Sequence, residues 1–478
     1  MNDVTILNSS TSLTANELPN EVFRNYDIRG FAHSQITPDF AYKLGAVLAI
    51  TLLKQHYSTI YLGRDGRLSS PALAKALGNG LTQYGMNVID IGTVSTPTLN
   101  FAVHCDNKAE CGIMVTASHN TKEYNGFKII VRNQVVAGEM LQKIKHLMLS
   151  DRPNHCQSGH IRTQDISSQY LQAIIDNCSP KKDFKIVIDC ANSIVGPIAK
   201  TLFNRLGYNL IPLFCDPDGN FPNHDPNPSD ESNLQQLKAS VLSHQADLGL
   251  AFDGDGDRLV VISGSGAIVW PDQLLMIFAR DILKRYPNTD IVFDVKSSFR
   301  LQQHVKELSG NPVMCKTGHS HVRGTVQKTG ALVGGEFSGH IFFNDRWHGF
   351  DDGLYASVRL LEILANLDMA PKQALEKMIG QFKPSAYTPE ILIPVAETEK
   401  FAVMEKLTSH CSFKDGIINT IDGLRVEYPL GWGLIRASNT SANLTMRFEA
   451  DNKEELERIK KLFSFELAPF INQVDQYL

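Results

Sequence analysis

The chain has 478 residues, 46 Lys and Arg against 51 Asp and Glu, a net charge of -5, and 43% apolar residues. That length suffices for about three domains, or four if some are small, and the mild acidity argues against nucleic acid or an anionic membrane as the main partner. Eight cysteines, at 105, 111, 156, 178, 190, 215, 315 and 411, form no CxxC pair and no zinc spacing, so buried thiols in a reducing compartment are expected.

Residues 1–18 are rich in Ser, Thr and Asn and lack the basic start and apolar stretch of a secretory signal, so they read as a disordered or loosely docked extension. The apolar run Leu44 to Leu53 falls far short of the roughly 20 residues of a membrane helix; a soluble, cytoplasmic protein is expected. Strands are predicted at Thr59–Leu62, Asn87–Ile91 and Gly112–Val115, with a helix at Pro71–Tyr84. The rhythm restarts with strands at Lys185–Asp189, Leu210–Leu213 and Leu248–Phe252 around a helix at Gly196–Leu206. A third round has helices at Gln273–Lys284 and Phe299–Glu307 and strands at Ile291–Asp294 and Val313–Cys315. Strands then follow at Ile391–Pro394, Gly423–Tyr428, Trp432–Arg436 and Leu444–Glu449, with a closing helix at Lys453–Phe465. The alternation predicts three similar mixed-sheet α/β domains plus a C-terminal α+β domain. Polar segments at Asp151–Gly159, Ser263–Ala267 and Gln381–Tyr387 suggest linkers, giving domains at 19–158, 159–266, 267–382 and 383–478.

Five segments carry candidate chemistry. Near the start, Tyr26-Asp27-Ile28-Arg29-Gly30 offers Arg29 either to an anion or to a structural pair with Asp27. Thr116-Ala117-Ser118-His119-Asn120 leaves a strand, where a serine can act as nucleophile or phosphate carrier or simply belong to a polar turn. Side chains of adjacent strand residues point to opposite faces, so His119 is a poor base for Ser118 unless the loop bends sharply. Asp253-Gly254-Asp255-Gly256-Asp257-Arg258 crowds three carboxylates into a turn between apolar runs, which favours a hard cation such as Mg²⁺. An EF-hand calcium loop is excluded, because its sixth and twelfth positions are Arg258 and Gly264 here. In Gly335-Glu336-Phe337-Ser338-Gly339-His340, Glu336 and Ser338 at alternate positions either grip neighbouring hydroxyls, as of a sugar, or face water in a hairpin turn. Finally, Arg436-Ala437-Ser438-Asn439-Thr440-Ser441 combines a guanidinium, hydroxyls and an amide, either as an oxyanion cradle suited to phosphate or as a solvated turn. Lys128, Lys296 and His319, taken singly, read as surface charges or a satisfied histidine.

The order TASHN, DGDGDR, GEFSGH, RASNT, one in each expected domain, resembles the α-D-phosphohexomutase superfamily, and the resemblance runs from Phe23 to Ala450. GEFSGH with YDIRG is most similar to the bacterial phosphomannomutase/phosphoglucomutase branch, with phosphoglucosamine mutases as the nearest rival. The resemblance implies four domains around a central cleft and an intramolecular phosphotransfer between hexose 1-phosphate and hexose 6-phosphate, of mannose and/or glucose, through a phosphoserine and a 1,6-bisphosphate. Ser118 would carry the phosphoryl group, and Asp253, Asp255 and Asp257, with Ser118 itself, would hold one Mg²⁺. Arg29, Lys128, Arg258 and His340 match positions with proton-transfer or electrostatic roles. Tyr26, Lys296, His319, Glu336 and Ser338 match substrate contacts, and Arg436, Ser438, Asn439 and Thr440 the grip on the phosphate that is not reacting. Glucose 1,6-bisphosphate or mannose 1,6-bisphosphate would serve as activator, and the only partner expected is a small phosphosugar, the chain being a monomer or weak homo-oligomer. A binding-only homologue and a metal-dependent phosphatase are the other classes. Thr121 and Asn443 stand where many relatives have proline, which puts loop rigidity in question.

Overall fold

The computed structural model of the protein describes residues 18–106, 109–132, 134–149, 158–178, 180–439 and 441–478. The chain divides into two compact units, the first reaching to Tyr170 and including Asp218–Pro222, the second holding Leu171–Pro217 and Asn223–Leu478. Residues 1–17 of the expected extension lie outside the described residues, but Leu18 does not belong to it: this apolar side chain is buried in the first core.

The first unit contains β1 (Ile28–Phe31), α1 (Pro38–Leu53), β2 (Thr59–Arg64), α2 (Ser70–Gln83), β3 (Asn87–Thr93), α3 (Thr96–Cys105), β4 (Cys111–Val115), β5 (Tyr124–Val131), β6 (Gln134–Val135), α4 (Glu139–Met148) and β7 (Ile161–Thr163). Its sheet runs β1-β5-β4-β2-β3-β7, with β6 beside β5. Strands β3, β2 and β4 are parallel and β5 returns antiparallel. Both faces of the parallel strands are covered, which is why they read as near-continuous apolar runs. Helix α1 starts at the cap Thr37 followed by Pro38, and it lies so close to α2 that a Cβ on Gly80 would stand 2.1 Å from the Tyr42 carbonyl oxygen. Strand β7 pairs with β3; three residues sufficed for an edge strand and left no apolar run to detect.

In the second unit, α5 (Ser167–Asn177), which begins in the first, leads to β8 (Lys185–Asp189), α6 (Val195–Arg205), β9 (Asn209–Leu213), α7 (Gln235–Ser243), β10 (Leu248–Phe252), β11 (Leu259–Ser263) and β12 (Ile268–Val269). The expected linker at Ser263–Ala267 is instead the turn joining β11 to β12, closed by Ser263 N–H donating to the Ala267 carbonyl at 2.8 Å; its glycines serve the hairpin. Next come α8 (Pro271–Arg285), β13 (Asp290–Asp294), α9 (Phe299–Glu307), β14 (Asn311–Cys315), α10 (His319–Thr329), β15 (Val333–Gly335), β16 (Ile341–Phe343), α11 (Gly353–Ala365) and α12 (Pro371–Ile379). The sheets run β12-β11-β10-β8-β9 and β14-β13-β15-β16. All three α/β sheets thus share one plan: three parallel strands in spatial order second, first, third, and a fourth returning antiparallel beside the third.

The last domain is α+β, as predicted. It contains β17 (Ala386–Tyr387), β18 (Ile391–Pro394), α13 (Lys400–His410), β19 (Ile417–Asn419), β20 (Leu424–Tyr428), β21 (Gly431–Ala437), β22 (Asn443–Ala450) and α14 (Lys453–Leu467). Its strands are antiparallel in the order β17-β22-β21-β20-β19, with β18 also on β22. Leu407 from α13 and Ile459 and Phe463 from α14 close its core over Phe448 and Leu424. Of the described cysteines, Cys105 is exposed at the end of α3 and departs from the expected burial; the others are buried, and burial pushes the Cys111 thiol up to about 12. Among the described residues no helix is long and apolar enough to cross a membrane.

Candidate active site

The shared sheet plan puts three of the five segments at one topological position. The Ser118 loop joins β4 to β5, the aspartate loop joins β10 to β11, and the Glu336 loop joins β15 to β16. Each is the reversal from the third parallel strand into the antiparallel fourth.

In the first unit, Ser118 is buried and has a left-handed φ of +51°. That bend brings its Oγ to 3.3 Å from His119 Nδ1, so the strand-like separation of the two side chains does not hold. The Thr116 hydroxyl accepts from Ser118 N–H at 2.8 Å. Arg67 organises the rest of the loop. Its buried guanidinium donates to the carbonyls of Ser118 (2.9 Å), Asn120 (2.6 Å), Thr121 (2.6 Å) and Tyr124 (3.1 Å), while Nε donates to Asp65 (3.0 Å). Arg29 makes its expected ion pair with Asp27 at 2.5 Å and also donates to Asn120 Oδ1 at 2.8 Å, which ties the entry strand to the serine loop. Arg29 pairs across the sheet with Gly126, two residues from Lys128, so the two buried cations share one face of the sheet while Phe127 points into the core on the other. Tyr26 lies half-buried just ahead of β1.

In the second unit, Asp253, Asp255 and Asp257 are all buried, each with a carboxylate oxygen within 4.8 Å of the others. Asp253 Oδ1 accepts from the N–H groups of Gly256 (3.0 Å) and Arg258 (3.2 Å), and Gly256 takes φ +80°, which fixes the turn. Three buried carboxylates at this spacing repel one another, and hard oxygen donors fit a divalent cation that relieves the repulsion. Arg258 Nε donates to His340 Nε2 at 3.0 Å, leaving the His340 Nδ1 proton to face Asp351 at 2.8 Å and Asp257 at 3.3 Å. Burial alone would depress His340, but the neighbouring carboxylates outweigh it and hold the imidazole above its ordinary value. Charging it would convert Nε2 into a donor and break the Arg258 bond, so the two residues are coupled. Burial likewise draws the Arg323 guanidinium down to about 10, against the pull of Asp351.

The Glu336 loop is a hairpin turn, closed by Glu336 N–H to the His340 carbonyl at 2.9 Å. Its side chains do not merely face water: Glu336 is buried, and both Glu336 Oε2 and Ser338 Oγ are shielded without a hydrogen-bond partner among the described residues. Phe337 N–H donates to Asp294 at 3.0 Å, and the Arg447 guanidinium stacks 3.5 Å from the Phe337 ring centre. Lys296 Nζ lies 3.5 Å from Glu390, and His319, at the start of α10, sits with its ring 5.4 Å from that of His340.

Arg436 is buried; its Nε donates to Asp422 at 3.0 Å, while Nη2 has no hydrogen-bond partner among the described residues. Ser438 Oγ accepts from Ser441 N–H at 3.2 Å and Ser441 Oγ at 2.9 Å, and the buried Lys400 ammonium donates to the carbonyls of Ser438 (2.6 Å) and Ser441 (3.1 Å). Asn439 is half-buried in the same turn; Thr440 lies outside the described residues. Asn443 braces the turn with two hydrogen bonds, its side chain donating to Ser441 Oγ at 3.0 Å and its N–H to the Ser441 carbonyl at 2.9 Å.

Arg67, Asp294, Lys400 and Asp422 were not singled out from sequence. For Arg67 a signal existed: Asp65-Gly66-Arg67 follows a predicted strand, the same grammar that marks the aspartate loop.

Comparison with known proteins places these loops in a family. The four domain profiles of phosphoglucomutase/phosphomannomutase match in order: alpha/beta/alpha domain I at residues 20–154, domain II at 168–266, domain III at 270–382 and the C-terminal domain at 390–464. A phosphomannomutase/phosphoglucomutase of Pseudomonas aeruginosa is 45% identical over 94% of this chain and 96% of its own. A phosphoglucomutase of Neisseria gonorrhoeae is 44% identical over 93% and 96%. The crystal structure of a phosphoglucomutase/phosphomannomutase family protein from Burkholderia thailandensis superposes with a TM-score of 0.88 at 39% identity, covering 95% of this chain and 98% of that one. With all four domains present and a buried acidic triad able to bind a metal, the chain belongs to the phosphoglucomutase/phosphomannomutase family of metal-dependent phosphohexomutases.

Proposed function

We propose that the protein interconverts hexose 1-phosphate and hexose 6-phosphate, of mannose and/or glucose, with Ser118 as phosphoryl carrier. The observation that carries this reading is that Glu336 Oε2, Ser338 Oγ and Arg436 Nη2, three of the buried polar atoms of the second unit that lack a partner among the described residues, lie on the candidate loops, because stranding such groups costs about 1–3 kcal/mol each unless a ligand satisfies them. A phosphorylated sugar supplies hydroxyls for the first two and an anion for the third.

In the forward direction the sugar 6-hydroxyl attacks the phosphorus on Ser118; the bond to Ser118 Oγ breaks and a bond to the sugar oxygen forms, the hydroxyl proton leaves to a basic group, for which His340 is the candidate, and Ser118 Oγ takes up a proton as it leaves, while Lys128 stays charged. The resulting 1,6-bisphosphate of glucose or mannose turns round and returns its 1-phosphate to Ser118, releasing the 6-phosphosugar. Phosphoserine carries about -1.5 to -2 charges, so attack requires cations nearby; Arg29 and Lys128 supply two, and Arg258 fixes His340. Asp253, Asp255 and Asp257, with the group on Ser118, would hold Mg²⁺, which when bound supplies further positive charge for the phosphoryl oxygens. Tyr26, Lys296, His319, Glu336 and Ser338 contact the sugar, and Arg436, Ser438, Asn439 and Thr440 hold the phosphate that is not reacting. The acidic net charge fits a small soluble substrate and no nucleic-acid or membrane partner; the protein is read as a cytoplasmic monomer or weak homo-oligomer.

Incubation with glucose 1,6-bisphosphate should add one phosphoryl group to the wild-type chain by intact mass and none to Ser118→Ala, whose interconversion rate should fall by on the order of 10⁴-fold or more. An unlabelled wild type would favour a binding protein, and continuous release of inorganic phosphate a phosphatase.

A further inference from the structure

Asp294 ends β13 with its side chain fully buried, yet nothing in the phosphoryl chemistry uses it. A carboxylate taken out of water is destabilising unless its oxygens are satisfied. Its three hydrogen bonds come from three different loops. Oδ1 accepts from Phe337 N–H at 3.0 Å and from Ser297 Oγ at 2.7 Å, and Oδ2 accepts from Thr317 Oγ1 at 2.8 Å. Those loops are the ones that carry Glu336 and Ser338, Lys296, and His319. The Phe337 bond pins the backbone at the residue between the two side chains whose outer oxygens lack partners. Thr317 extends the connection, because its backbone N–H donates to Asp422 at 3.0 Å, and the same Asp422 oxygen accepts from Arg436 Nε at 3.0 Å.

We infer that Asp294 is the positioning residue of the sugar subsite, with Thr317 joining it to the phosphate cradle. This rests on the mutase reading of the same site. Asp294 touches no substrate in this assignment; it sets the spacing of the groups that do, and groups misplaced by even an ångström lose their hold.

Asp294→Ala removes both acceptor oxygens and with them all three hydrogen bonds. Asp294→Asn keeps three bonds with one reversed, since the amide oxygen can accept from Phe337 N–H and Ser297 while the amide nitrogen donates to a turned Thr317 hydroxyl. Thr317→Val is a milder, nearly isosteric break of one bond that leaves the backbone contact to Asp422, and it guards against an alanine variant that does not fold. Steady-state kinetics on mannose 1-phosphate and glucose 1-phosphate should show KM raised about tenfold or more in Asp294→Ala, with kcat changed less than about threefold, a smaller rise of the same kind in Thr317→Val, and near wild-type values in Asp294→Asn. The idea is overturned if the folded Ala and Val variants keep the wild-type KM, or if they lose kcat alone, as a merely structural weakening would give. Failure of the mutase reading is a separate result, visible as a wild-type chain that takes no phosphoryl group from glucose 1,6-bisphosphate.

Discussion

The Ser118 loop of the first domain and the Ser438 loop of the last both present hydroxyls, but they are built differently. Around Ser118 one buried guanidinium fastens four backbone carbonyls, and the serine takes a left-handed φ. Around Ser438 the turn is held from behind by Lys400, while Arg436 keeps Nη2 and Thr445 keeps Oγ1 without a partner among the described residues. The contrast fits the chemistry proposed for each. A covalent carrier must present a single oxygen in one geometry, so its loop is fastened completely; a cradle that must take either end of a sugar keeps donors open and reads only the shape of the anion.

Arg67→Met is the sharpest way to break this contrast. Losing the donors to four carbonyls should destabilise the chain by about 3–5 kcal/mol in denaturant titrations and slow phosphoryl uptake on Ser118 by on the order of 10²-fold, with little change in KM. A rise in KM instead would show that the two loops are not differently specialised. For the cradle, Arg436→Lys gives up bidentate recognition while keeping the charge, and KM for mannose 1-phosphate should rise by about 10–100-fold with kcat nearly kept. The smallest effect is expected from Asn443→Ala, which removes only the bond to Ser441 Oγ; KM should move by less than about threefold, and thermal unfolding should report a loss of about 1 kcal/mol or less.

Most parallel strands were legible because both of their faces are covered, whereas the three-residue β7 and β15 were not. Predictions at Lys185–Asp189 and Leu248–Phe252 coincide with β8 and β10, whose residues are almost all buried. The first-domain strand β5 was not. Gly126 interrupts its apolar pattern, yet the glycine is there because a Cβ would stand 2.1 Å from the Ile28 carbonyl oxygen of β1. Among the candidate residues, those gathered in short signatures were visible, whereas Arg67 and Asp294 were not. Each satisfies partners 40 or more residues distant in the chain, including Thr121 for Arg67 and Phe337 for Asp294, and a single sequence read by local spacing contains no trace of such long-range bonds. His119 shows the opposite limit: strand periodicity was a sound rule applied one residue beyond the point where the backbone bends.

One consequence follows from having the serine, aspartate and glutamate loops at the same reversal of three equivalent sheets. Each is a short excursion between strands whose registers are fixed elsewhere, by the parallel neighbours and the helices that cover them. A loop of this kind can be exchanged or lengthened without disturbing the layers beneath it. On the reading proposed above, sugar preference would shift with edits confined to residues 336–338, while the Ser118 loop and the aspartate turn keep their sequence.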